Sequence, residues 1–294
     1  MSKRAKKNNW LFESYTIPYD DIDEKVALKV KKKLYFGKSL YQKIEVYDTY
    51  SFGRVLVLDG IFQASEMDEF IYHEMLCHLP LFSCKNPKRV LIIGGGDGGS
   101  LKEVLKHPIE KVWMVEIDGK VIEVSKKYLP SISKGAFSSR KAEIIVGDGL
   151  KFIKNYNNFF DVIILDLSDP IGPAKKLISL DFYKDVKRAL KKKGVLSVQS
   201  GSTTVQLKLV ETIYKRLKKV FPSVEVHRAC VPLYQAGEYS FTVAANFDLR
   251  KISLADLEKK FKKLSLKTKY YLPEIHLSSR TKPRYLKNLL DDSR

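Results

Sequence analysis

From Lys88 onward, short runs that are apolar at every position alternate with helical patterns, and few folds accept that rhythm. Residues 90–93, 112–115, 144–146 and 162–165 are continuous apolar runs, and 195–198 is apolar except at Ser197. Residues 101–106, 121–128 and 182–192 carry apolar side chains at helical spacing. A strand that is apolar on both faces has to be covered on both faces, which calls for a doubly wound, mostly parallel α/β sheet. Residues 224–229 and 239–244 are expected to finish that sheet, antiparallel to the rest, with a helix over 254–264. Ahead of Lys88 the rhythm differs. Residues 32–36, 41–47, 54–58 and 61–63 are short runs split by Gly37-Lys38-Ser39, Ser51-Phe52-Gly53 and Asp59-Gly60, which predicts a small antiparallel sheet. Asp68 then opens a helix expected to stop near Pro80.

Composition narrows the class. Hydrophobic residues make up 44% and aromatics 11% of 294 residues, enough for a filled core. No apolar run approaches the roughly 18–20 residues that a membrane span needs. Residues 1–9 are basic and polar with no apolar segment behind them, unlike a secretory leader. Three cysteines, Cys77, Cys84 and Cys230, suit reduced thiols better than a disulfide framework, so a cytoplasmic protein is expected. The net charge is +19. Much of it lies at the ends, and with no RNA-binding signature or zinc-finger spacing it reads as solvated lysine surface plus a mobile tail rather than a nucleic-acid interface.

Gly94-Gly95-Gly96-Asp97-Gly98-Gly99 fits G-x-G-x-x-G between a predicted strand and a predicted helix, and Glu116 ends the next strand. Glycines there let the backbone approach a ligand, and an acid at that place accepts ribose hydroxyls. Asp97 argues against a dinucleotide, because a carboxylate inside the turn repels a pyrophosphate and attracts a cation. An adenosyl sulfonium fits better. Gly147-Asp148-Gly149 follows the third strand, where an acid and backbone amides can read adenine, although alone it serves equally as a plain turn. Residues 162–173 end a buried strand with Asp166 and Asp169, backed by Pro170 and Pro173. Two like charges so close call for a cation between them.

Taken with Tyr41-Gln42, with residues 52–60 (FGRVLVLDG) and with residues 68–75 (DEFIYHEM), these motifs give a chain that resembles the spermidine synthase family over about residues 10–290. The resemblance implies a Rossmann-like, methyltransferase-type catalytic domain over 66–294, a small N-terminal antiparallel β domain over 10–65 and a basic flexible tail over 1–9. It implies transfer of an aminopropyl group from decarboxylated S-adenosylmethionine, a co-substrate, to putrescine, with no cofactor and no metal. Gln42, Glu116, Asp148, Gly149 and Pro173 would hold the methylthioadenosine part, and Asp97 the aminopropyl ammonium. Tyr72, His73, Asp166, Asp169 and Tyr234 would surround the acceptor, with Asp166 as proton acceptor. A homodimer or homotetramer is implied.

His73, Cys77 and His78 do not have the spacing of a standard metal site. Putrescine N-methylation on the same scaffold, another acceptor (agmatine, cadaverine or spermidine) and an idle relative that binds nucleic acid remain alternatives. The chain departs from the family pattern at Lys175-Lys176 in the expected gating loop, at Gln235-Ala236-Gly237-Glu238 after Tyr234, and at 278–282.

Overall fold

The computed structural model describes residues 9–14, 26–170 and 172–291. All of the basic stretch 1–9 except Asn9 therefore lies outside the described residues. Strands β1 (Trp10–Phe12), β2 (Ala27–Lys38), β3 (Lys43–Thr49), β4 (Arg54–Leu58) and β5 (Ile61–Ser65) form one antiparallel sheet in chain order. After helix α1 (Glu69–Ser83) comes the alternating part: β6 (Arg89–Gly94), α2 (Gly99–Leu105), β7 (Lys111–Glu116), α3 (Gly119–Tyr128), the single turn α4 (Pro130–Ser133), β8 (Ala142–Val146), the single turn α5 (Gly149–Phe152) and β9 (Phe160–Asp166). Then follow α6 (Leu180–Ala189), β10 (Leu190–Ser202), α7 (Leu207–Val220), β11 (Ser223–Cys230) and β12 (Glu238–Ala245), and beyond them α8 (Leu254–Leu264), α9 (Pro273–Ser278) and α10 (Arg284–Asp291).

The second sheet has seven strands in the order β11-β12-β10-β9-β6-β7-β8. Its five strands from β10 to β8 are parallel, and β12 and β11 are antiparallel additions. The alternation of strand side chains divides the core. Val90 and Ile92 pack with α1 and α2, whereas Leu91 and Ile93 face the layer of α6 and α7. The small sheet rests its Ile44, Val46 and Leu56 on Val121 and Val124 of α3 and Ile132 of α4.

Several boundaries differ from the sequence expectations for physical reasons. Helix α1 continues past Pro80 to Ser83. Leu79 and Leu81 are fully buried there, and the last turn is closed by Cys84 N–H to the Pro80 carbonyl (2.9 Å) and the Ser83 hydroxyl to the Leu79 carbonyl (2.7 Å). Burial and these bonds outweigh the single amide that proline lacks. Helix α6 ends at Ala189 rather than 192, because Leu190 turns extended and pairs with Phe160. Strand β3 begins at Lys43, since the Tyr41 and Gln42 amides bond the Ser39 hydroxyl oxygen in a turn. Helix α7 was not anticipated, and the basic stretch beyond residue 250 contains α9 and α10 as well as α8, which matches the helix expected over 254–264.

Glu74 ties that last stretch to α1. Its carboxylate is almost fully buried and accepts the backbone amides of Lys269 (2.8 Å), Tyr270 (2.8 Å) and Tyr271 (2.9 Å). Glu74→Ala should cost about 2–3 kcal/mol by leaving these amides unpaired, lowering the thermal midpoint by about 5–10 °C in calorimetry, and Glu74→Gln should fall between the two.

Candidate active site

In an open α/β sheet the ligand crevice forms at the carboxyl ends of the strands, where the strand order reverses. Here that point lies between β6 and β9, where Gly94 stands in register with Asp166. The Gly95 amide donates to the Asp166 carbonyl (3.0 Å). Gly94 has φ +87°, and a side chain there would drive its Cβ to 2.0 Å from that same carbonyl oxygen, so the turn tolerates only glycine.

The acids of this turn meet residues of α1. The Tyr72 hydroxyl donates to Asp166 Oδ1 (2.8 Å), and Asp166 Oδ2 is buried without a hydrogen-bond partner. Asp97 Oδ1 accepts the Gly99 amide (2.8 Å), while its Oδ2 faces His73 Nε2 at 3.4 Å. His73 Nδ1 lies 2.8 Å from Glu69 Oε2. Gly99 makes room for this imidazole: a Cβ at Gly99 would stand 2.2 Å from His73 Cε1. One potential ligand atom each from His73, Asp97 and Asp166 lie within 4.8 Å of one another, a cluster shaped to receive a cation. Burial raises the Asp166 pKa, with His73 opposing and the Asp97 charge adding to the rise. Burial acts on Asp97 in the same sense, but His73 overrides it and holds Asp97 below the usual carboxylate range.

Asp169 is half-buried, and its pKa is raised by burial. Glu13, a residue sequence reasoning missed, comes from the small sheet. Its Oε1 accepts the Phe62 amide (2.8 Å), its buried Oε2 has no hydrogen-bond partner, and burial, with a contribution from the Asp169 charge, lifts its pKa to about 8. The only sequence signal for it was an acid directly after the apolar Trp10-Leu11-Phe12. Tyr234 packs edge-on against Tyr72 (5.8 Å between rings), and its hydroxyl donates to the Gln63 carbonyl (2.7 Å). Cys77 and His78 turn away: Cys77 Sγ faces the Ser100 carbonyl, and His78 Nδ1 faces His107 Nε2 (3.0 Å).

On the other side of the glycine turn, Glu116 ends β7 and accepts the Asp118 amide (2.9 Å), and burial raises its pKa to about 7. Gln42 reaches this side from the small sheet, donating its amide to Asp118 Oδ2 (2.9 Å). Asp148 caps α5 by accepting the Leu150 amide (2.8 Å), and Gly149 is the first residue of that helix. Ile117 and Val146 are exposed apolar lips beside these acids. Pro173 sits in the 3-10 segment Gly172–Ile178, whose Lys175 and Lys176 are exposed.

Comparison with known proteins decides the family. The spermine/spermidine synthase domain matches residues 69–253, and the spermidine synthase tetramerisation domain matches residues 10–66. The chain belongs to the spermine/spermidine synthase family. A polyamine aminopropyltransferase of Thermoanaerobacter sp. is 44% identical over 274 residues, 92% of this chain and 96% of that protein. One from Clostridium tetani is 39% identical over 270 residues, 91% of this chain and 94% of the other. Among solved structures, a spermidine synthase in complex with the transition-state analogue AdoDATO superposes with a TM-score of 0.91 at 37% identity, covering 99% of this chain and 98% of that one. The spermidine synthase of Thermotoga maritima gives 0.88 at 36% identity, covering 99% and 97%.

Were Glu116 to accept ribose hydroxyls, as the sequence leads one to expect, its burial would make it a pH gauge. A carboxylate whose pKa stands near 7 is protonated below that value and accepts ribose hydroxyls fully only above it. The affinity for 5′-methylthioadenosine should therefore fall about tenfold between pH 8 and pH 6. Equilibrium titration checks this, and Glu116→Gln should bind more weakly with a flat pH profile.

Proposed function

We propose that this chain transfers the aminopropyl group of decarboxylated S-adenosylmethionine to putrescine, releasing spermidine and methylthioadenosine, as a cytoplasmic homo-oligomer. Among the described residues no helix is long and apolar enough to cross a membrane. The observation that carries the proposal is the charge of the crevice. In a chain of net charge +19, Asp97 and Asp166 meet at the glycine turn, the half-buried Asp169 follows Asp166 at the same strand end, and Glu13 lies close enough to feel its charge. Substrates that carry a sulfonium and ammonium groups suit that crevice, and phosphates do not.

The methylthioadenosine part lies against Gln42, Glu116, Asp148, Gly149 and Pro173, with Ile117 and Val146 offering apolar surface to the base. The aminopropyl ammonium meets Asp97. Putrescine extends past Tyr72, Tyr234 and Asp166, with its far ammonium toward Asp169 and Glu13. Its near nitrogen attacks the carbon beside the sulfonium sulfur, the carbon–sulfur bond breaks, and the electron pair leaves on sulfur. The attacking amine has to be neutral, although its solution pKa is about 10. The neighbouring sulfonium lowers that value, and Asp166, whose own pKa is raised, takes the proton. Alignment and fixed carboxylates supply most of the acceleration. No cofactor is required for this displacement.

N-methylation of putrescine is the rival reading, and Asp97 disfavours it because the carboxylate of intact S-adenosylmethionine would meet a carboxylate. Mass spectrometry of products from both sulfonium substrates with putrescine, agmatine, cadaverine and spermidine decides between them. Spermidine formed only from the decarboxylated substrate is the expected result, and N-methylputrescine would overturn the proposal.

Two variants test the roles. Asp166→Asn should lower kcat about a thousandfold, equivalent to about 4 kcal/mol of barrier, with methylthioadenosine affinity within a few-fold of the parent. Above pH 8, where the Glu13 carboxyl is ionised, Glu13→Gln should raise the KM for putrescine about tenfold and leave the KM of the sulfonium substrate unchanged, as expected of a charge that reads only the far ammonium.

A further inference from the structure

His73 is enclosed by charge from each element packed against it. On its own helix Glu69 faces Nδ1 at 2.8 Å, and Asp68 lies at the head of that helix. From the glycine turn Asp97 faces Nε2 at 3.4 Å, and from β9 Asp166 completes the cluster. From α2, Lys102 holds the second oxygen of Glu69 (Oε1, 2.6 Å) and stands 3.4 Å from Glu103. Glu103 has a further cation of its own, Lys106 at 2.6 Å, and faces His78 Nε2 at 3.1 Å. The phenols of Tyr72, Tyr234 and Tyr239 and the Cys77 thiol are further titratable groups on this side.

Ionised carboxylates only accept hydrogen bonds. A carboxylate oxygen stands against each ring nitrogen of His73, Glu69 at 2.8 Å and Asp97 at 3.4 Å, an arrangement that favours a hydrogen on both nitrogens and hence an imidazolium. Burial opposes that charge, yet the two carboxylates keep the His73 pKa well above its ordinary value. The crevice thus already holds a cation of its own at the place where the substrate's ammonium is to bond Asp97. An N–H on Nε2 would then point at the N–H groups of that ammonium.

We propose that His73 is a resident counter-cation exchanged on substrate binding, and that Lys102 is the positioning residue that permits the exchange. When the aminopropyl ammonium docks beside Asp97, the Nε2 proton leaves to solvent. Nδ1–H stays donated to Glu69, and the bared Nε2 lone pair accepts one N–H of the ammonium. One proton is released and no other bond changes. Glu69 would be left as a buried carboxylate beside a neutral ring, a costly state unless another cation pairs with it. Lys102 is that cation. This inference rests on the reading that the substrate carries an ammonium to Asp97.

Isothermal titration calorimetry at pH 7.5, in phosphate and in Tris, counts the protons. Decarboxylated S-adenosylmethionine should release about one proton per site more than methylthioadenosine, which lacks the ammonium and releases only the fraction linked to Glu116. Lys102→Met should abolish this extra release and weaken the decarboxylated substrate about tenfold at pH 7.5, with recovery at pH 9 and methylthioadenosine affinity unchanged. Lys102→Arg, which keeps the charge, should restore the release. Tight binding that releases no more protons than methylthioadenosine does would overturn the inference alone, as would a Lys102→Met protein that still releases the extra proton. A decarboxylated substrate that binds no better than methylthioadenosine would overturn the functional reading, and the inference with it.

Discussion

The bond from the Gly95 amide to the Asp166 carbonyl is where the sheet becomes a site. It closes the register between β6 and β9 at the point of strand reversal, so that two chain segments some seventy residues apart end side by side. Asp97 follows one end and Asp169 the other, and α1 brings Tyr72 and His73 down onto both. Every distance in the cation cluster depends on that register. A slip of one residue would turn the Asp166 side chain to the opposite face of the sheet.

The site also reconciles a basic protein with an acidic crevice. Surface lysines spread over the molecule are screened by salt within about 10 Å, whereas carboxylates in a partly dry cleft are not. The exposed Lys175 and Lys176 belong to the screened population, although they lie in the loop beside the crevice. Net charge therefore says little about which ions the crevice selects, and the placement of a few buried acids says more.

The parts of this arrangement legible in the sequence were those encoded locally. Asp97, Glu116, Asp148 and Asp166 stand at strand ends next to turns, and the apolar runs that place them are unmistakable. What escaped was encoded by contact. Gly99 read as a ligand-facing glycine, yet its missing side chain makes room for a ring from a helix some 26 residues earlier. Glu74 sat unremarked beside His73 and proved to anchor backbone amides nearly two hundred residues away. Helix α7 carries Leu209, Val210, Ile213 and Leu217 at helical spacing, but Gln206 stands at its N-cap with no side-chain capping bond, so the usual start signal is missing. Pro80 read as a stop because burial on every side of it is a property of the fold and not of its neighbours in sequence.

The small sheet contributes more than its size suggests. Glu13 enters the crevice beside Asp169, Gln42 is moored to the loop after Glu116 through Asp118, and the Gln63 carbonyl holds the Tyr234 hydroxyl. The two sheets therefore cannot be treated as interchangeable modules. A chimera that joined the first 66 residues of one relative to the remainder of another would take Glu13, Gln42 and Gln63 from one parent and their partners Asp169, Asp118 and Tyr234 from the other. A change at any of these contacts on one side of the junction calls for a matching change on the other, so the two regions should diversify together rather than drift apart.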